Sequence, residues 1–212
     1  MTRQPLTHHD VTGRTLRESP SQTAGPYVHI GATPNFIGIP GIFDEDLGRV
    51  MVNDKTKGEH ITISGRIFDG TGTPLRDGLV EIWQADAAGL HNSPSETRGT
   101  ADPNFTGWGR QPTDLETGIY SFETIKPGRV PYPDGRQQAP HISVWVVARG
   151  VNIGLSTRLY FADEEAANAE DPILARIEHR ARVATLIAPR EGSTYTFDIH
   201  LQGEQETVFF DT

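Results

Sequence analysis

Ile61-Thr62-Ile63-Ser64-Gly65-Arg66-Ile67 places apolar side chains at 61, 63 and 67 and polar ones at 62, 64 and 66. Successive side chains of an extended strand point to opposite faces, so this period of two predicts a strand with one face on a core. Asp69-Gly70-Thr71-Gly72-Thr73-Pro74 interrupts it. Because strand rather than helix follows, that run reads as a hairpin turn and not as a phosphate-cradling loop. Leu79-Val80-Glu81-Ile82-Trp83-Gln84 resumes the extended pattern, and residues 120–125, 141–149, 155–161, 195–201 and 207–210 supply further strands. Asp171-Pro172, an N-cap and an N1 proline, precede the one helical stretch, residues 173–177. Many short strands separated by turn signals predict an all-β chain: a single β-sandwich domain over 19–212 with irregular loops and one or two short helices. Residues 1–18 are polar and aperiodic and predict a flexible N-terminal arm. Residues 31–59 form a long Gly-, Pro- and Asp-rich connection, a length that in a compact domain tends to be functional or interfacial.

Composition narrows the chemistry. The 212 residues include 22 glycines, 15 prolines and no cysteine, and carry a formal net charge of −9 with a pI near 5.3. Without cysteine there is neither a disulfide scaffold nor a thiolate metal site, and the composition suits a reducing, cytoplasmic setting. No Lys/Arg stripe is present, which argues against nucleic-acid binding. No apolar run approaches the ~18 residues of a membrane span, and the start of the chain lacks the apolar segment of a secretory signal.

A metal site here would have to draw on His, Asp, Glu or Tyr. His91 and His141 lie beside Gly- and Pro-rich turns at strand ends, where sites on β folds gather, although each taken alone reads first as a hydrogen-bonded structural histidine. Arg149 ends the apolar run Ile142-Ser143-Val144-Trp145-Val146-Val147-Ala148. As a continuation of that strand it would share a face with residues 141, 143, 145 and 147. It would then be either a snorkelling strand terminator or a carboxylate clamp, for which the planar guanidinium fork is suited.

Several ordered motifs carry a family resemblance. They are Pro20-Ser21-Gln22-Thr23-Ala24-Gly25-Pro26-Tyr27, Leu79 through Gly89, Tyr120 through Gly128, Ala139-Pro140-His141-Ile142-Ser143, Thr157-Arg158-Leu159-Tyr160-Phe161 and Gly203 through Asp211. Together, from about residue 19 to the end, they resemble the intradiol ring-cleavage dioxygenases. Catalytic chains of that family hold a ferric ion, Fe(3+), with two tyrosines and two histidines.

This chain departs from the ligand pattern. His91 stands at the first tyrosine position and Val130 at the second, with Tyr132 available only if the loop shifts by two residues. Ser143 replaces the second histidine, Gln138 replaces an arginine, and His141 alone survives. Hard ferric iron favours phenolate, which neither valine nor neutral serine replaces. The resemblance therefore implies the iron-free alpha chain of a heteromeric enzyme, with no catalytic residue and no metal of its own. A homologous iron-bearing beta subunit would be its partner in a larger hetero-oligomer. Thr23, Gly25, Pro26, Tyr27 and Arg149 match alpha-chain residues that complete the partner's substrate pocket. The implied reaction is O2-dependent cleavage of 3,4-dihydroxybenzoate (protocatechuate) to 3-carboxy-cis,cis-muconate. Two alternatives remain open at this point: a non-enzymatic β-sandwich interaction module, or a self-sufficient dioxygenase using His91, Tyr132 and His141.

Overall fold

Two five-stranded sheets face each other across one apolar layer in the computed structural model, which describes residues 23–25, 27–152 and 154–211. The expected arm at 1–18 and Pro26 lie outside the described residues. In chain order the elements are α1 (Val28–Ala32), β1 (His60–Phe68), β2 (Leu79–Trp83), β3 (Trp108–Pro112), β4 (Ile119–Ile125), β5 (His141–Val147) and β6 (Leu155–Phe161). Then come α2 (Glu165–Glu170), β7 (Ile187–Ala188), β8 (Arg190–Glu191), β9 (Thr194–Thr196) and β10 (Ile199–His200). Two 3-10 turns, Leu174–Arg176 and Arg180–Leu186, lie between α2 and β7. No helix among the described residues is long and apolar enough to cross a membrane.

The alternating stretch forms β1, the centre of the first sheet. It pairs antiparallel with β4 (Ile63 opposite Phe122) and parallel with β9 and β10. The second sheet runs β3-β2-β5-β6-β7. Ile61, Ile63 and Ile67 meet Val80, Ile82, Val144 and Phe161 in the shared core. Removing such side chains from water stabilises the fold by about 1.5–3 kcal/mol each. Gly65 is required by packing, because a Cβ there would collide with the Phe197 carbonyl. That carbonyl accepts the Tyr120 hydroxyl bond, so strand, glycine and tyrosine form one joint.

Turn chemistry follows the sequence. Asp69 accepts from the Thr71 and Thr73 amides, Gly72 takes φ 79°, and Phe68 bridges Pro74 to close the hairpin. Asp171 accepts from the Ile173 and Leu174 amides and caps the turn after it.

Four expectations need correction. Residues 173–177 make only a short 3-10 turn, and further helical segments occur at Val28–Ala32, Glu165–Glu170 and Arg180–Leu186, too short to show helical periodicity. β3 went unforeseen because Trp-Gly-Arg-Gln-Pro does not alternate; as an edge strand it tolerates Pro112. Residues 207–210 form an isolated bridge, Phe210 to Ser156, instead of a strand. Finally, β5 stops at Val147, because the chain turns through Arg149 and Gly150, the latter at φ 86°.

Candidate functional site

On β5, Ile142, Val144 and Val146 point into the core while His141, Ser143 and Trp145 face outward. Register sets their neighbours: Ser143 lies opposite Trp83 of β2 and Arg158 of β6. Two loops complete a cavity over this face. Asp86 folds the first by accepting from the Ala88, Leu90 and Asp102 amides. Gly89, at φ 79°, lies so close to the Arg129 carbonyl that a Cβ would collide with it, and the Gly128 amide donates to the Asp86 carbonyl at 2.8 Å. These contacts bring His91 beside Val130. The result is a cavity of about 450 Å³ lined by His91, Val130, His141 and Ser143 together with Trp83, Gln138 and Arg158. Four positions scattered across 53 residues of sequence thus meet in one place.

Hydrogen bonds and burial set the chemistry of that cavity. His141 Nδ1 lies 2.8 Å from the Ala139 carbonyl, an acceptor, which makes Nδ1 the protonated nitrogen. Burial, reinforced by the Arg158 guanidinium, pushes the His141 imidazole down to about 4. Burial and Arg98 likewise hold His91 below its ordinary value; its ring stacks on Trp83 at 5.8 Å between centroids. Glu96 accepts from Arg98 and from the His91 amide, and is held at about 2 chiefly by the Arg98 hydrogen bond. Val130 is buried and carries no donor atom. Among the described residues no group of three or more His, Cys, Asp or Glu could hold a metal ion. Tyr132 does not line the cavity; its hydroxyl accepts from Arg176 at 3.0 Å, and Arg136 packs on its ring.

Arg158 escaped notice in the sequence except as part of a motif. Its Nη1 donates to Gln138 Oε1 at 2.8 Å, while Gln138 Nε2 donates to the Pro131 carbonyl. Only strand pairing shows that an outward arginine on β6 meets the 138–143 segment. Trp83, Ser143 and Arg158 also line a neighbouring groove of about 680 Å³, together with Trp108, Trp145, Ile177 and Phe210.

The other expected residues gather at the opposite end of β5, about 20 Å away for a seven-residue strand. Arg149 is not a strand residue on the Trp145 face, as expected from sequence. It sits in the following turn, its side chain 67% exposed, with Nε 3.2 Å from Asp77 Oδ2. The Thr23 hydroxyl donates to the Ala148 carbonyl at 3.4 Å and accepts from the Gly150 amide at 3.1 Å, tying residue 23 to the same turn. His29 of α1 lies 3.2 Å from the Asp77 carbonyl, which anchors the helix that starts after Tyr27. Tyr27 is 79% exposed and Gly25 takes φ 66°; Pro26 lies outside the described residues. Thr23, Tyr27 and Arg149 therefore share one exposed corner, apart from both cavities.

Comparison with known proteins gives a consistent picture. Residues 32–203 match a sequence family described as dioxygenase. The chain is 45% identical to the protocatechuate 3,4-dioxygenase alpha chain of Pseudomonas putida, over 92% of this chain and 97% of that one. It is 36% identical to the protocatechuate 3,4-dioxygenase beta chain of Burkholderia cepacia, over 79% and 75%. Among solved structures, 3-chlorocatechol 1,2-dioxygenase from Rhodococcus opacus 1CP superposes with a TM-score of 0.54 at 23% identity, covering 76% of this chain and 67% of that one. That last likeness bears on the fold.

Proposed function

We propose that this chain, which belongs to the dioxygenase family matched by its residues 32–203, acts as the alpha subunit of a protocatechuate 3,4-dioxygenase. The observation that carries the reading is its 45% identity, over nearly the whole of both chains, to such an alpha chain. The reaction is cleavage of the ring bond between the two hydroxylated carbons of 3,4-dihydroxybenzoate, one atom of O2 entering each of the two new carboxylates, giving 3-carboxy-cis,cis-muconate. A ferric ion does not fit this chain: the cavity lined by His91, Val130, His141 and Ser143 offers two imidazoles, no phenolate and a nearby guanidinium. We place the Fe(3+) on a beta partner homologous to this chain, in an αβ unit that assembles further in the cytoplasm.

This chain's contribution is the corner at Thr23, Gly25, Tyr27 and Arg149, to which the sequence match adds Pro26. Asp77 engages the Arg149 guanidinium at Nε, and the planar fork has further N–H donors with which to face a substrate carboxylate. The net charge of −9 would repel an anionic aromatic acid, so a local cation is needed at the pocket mouth. Exposed Tyr27 supplies a flat face and a hydroxyl.

The test is kinetic. In the αβ enzyme assembled from this chain and its beta partner, Arg149→Ala should raise KM for protocatechuate by about 10- to 150-fold, the loss of a charge-assisted bond of about 1.5–3 kcal/mol. KM for catechol, which lacks the carboxylate, should change little. Equal effects on both substrates would refute the carboxylate contact, and failure of the chain to co-purify with any beta chain would refute the subunit assignment.

A further inference from the structure

The cavity at His141 holds an arginine that no acid neutralises directly. Of the guanidinium groups near it, Arg98 is bound to Glu96. Arg158 has no carboxylate within 4.0 Å among the described residues; its partners are Gln138 Oε1 and, at 3.5 Å, the Tyr160 hydroxyl. Asp171 is reached only beyond that hydroxyl, and its carboxylate is spent on the Ala139, Ile173 and Leu174 amides as well. Both Arg158 hydrogen bonds run from Nη1, so the remaining N–H groups of the fork are not spent on them. A half-buried cation in such surroundings favours an anion strongly, because little water screens it.

The surroundings select the shape of that anion. Ser143 lies directly across the strand pair from Arg158. The Trp83 and His91 rings, stacked on each other, line the cavity along with Val130 and Pro131 and give it aromatic surface. At about 450 Å³ the cavity falls within the range of small-ligand sites. We propose that this cavity is a binding site for a small aromatic carboxylate, with Arg158 taking the carboxylate and the Trp83–His91 pair taking the ring. This site goes beyond the subunit role proposed above, since it lies wholly within this chain and at the end of β5 away from Arg149.

Isothermal titration of the full chain, purified without any other subunit, with benzoate tests it. The expected result is saturable one-to-one binding, weakened at least tenfold by Arg158→Gln and unchanged by Arg66→Gln, which removes the same charge elsewhere. Ser143→Asp, which would place a carboxylate opposite Arg158, should abolish binding even if Arg158→Gln does not fold. Absence of saturable binding, binding indifferent to both cavity substitutions, or acetate binding as tightly as benzoate would overturn the proposal. None of these outcomes depends on a beta partner, so they are separable from the Arg149 kinetics.

Discussion

Removing the carboxylate of Asp171, which follows α2, should be among the most damaging single changes around the cavity. Asp171 is fully buried. Its Oδ1 accepts from the Ile173 and Leu174 amides at 2.8 and 2.9 Å and from the Tyr160 hydroxyl at 3.3 Å, while Oδ2 accepts from the Ala139 amide at 2.8 Å. One side chain thereby joins the turn flanking the groove, a core tyrosine and the residue whose carbonyl orients His141. Asp171→Ala strands three backbone donors, each costing about 1–3 kcal/mol when left unsatisfied, with some relief from water entering the space. The expected loss is about 4–6 kcal/mol, at the far tail for a point substitution. For a chain of this length that corresponds to a fall in Tm of about 10–20 °C. Asp171→Asn keeps an oxygen for the three Oδ1 bonds and sets an amide against only the Ala139 N–H, so about 2 kcal/mol is expected. Urea unfolding followed by fluorescence, with calorimetry for Tm, measures both. A loss under 2 kcal/mol for the alanine variant, or an asparagine variant as unstable as it, would refute the assignment of Asp171 as the hub of these four bonds.

Two more outcomes follow from the same physics. Gly65→Ala should cost about 3 kcal/mol or more in urea unfolding, since the new Cβ meets the Phe197 carbonyl, a backbone atom with no room to yield. Because His141 titrates near 4 in the fold against 6.5 when free, the unfolded chain binds the extra proton between those values. Its contribution to stability is therefore complete above about pH 6.5 and declines as pH falls toward 4, by about 3 kcal/mol in total. Unfolding free energies at pH 7 and 4.5 should differ less in His141→Asn than in the parent chain.

Much of this protein was readable without coordinates. Alternation at 61–67, the Asp-Gly turn at 69–72 and the apolar runs at 79–84 and 155–161 specify strands through local sterics and burial, and they formed where expected. The motif spacings also named His91, Val130, His141 and Ser143, because a family pattern is a property of residue order. What sequence could not supply was pairing register. Only the placement of Ser143 between Trp83 and Arg158 shows that a guanidinium stands at the cavity, since the three residues lie on separate strands with no short-range signal linking them. The end of β5 was likewise a tertiary decision. An apolar run carries on through Ala148 in sequence, but the positive φ of Gly150, the Thr23 hydroxyl and the Asp77 carboxylate bend the chain and turn Arg149 outward. Local pattern determines which segments are strands and which face each presents; contacts between segments far apart in the chain decide what those faces meet, and therefore where the chemistry lies.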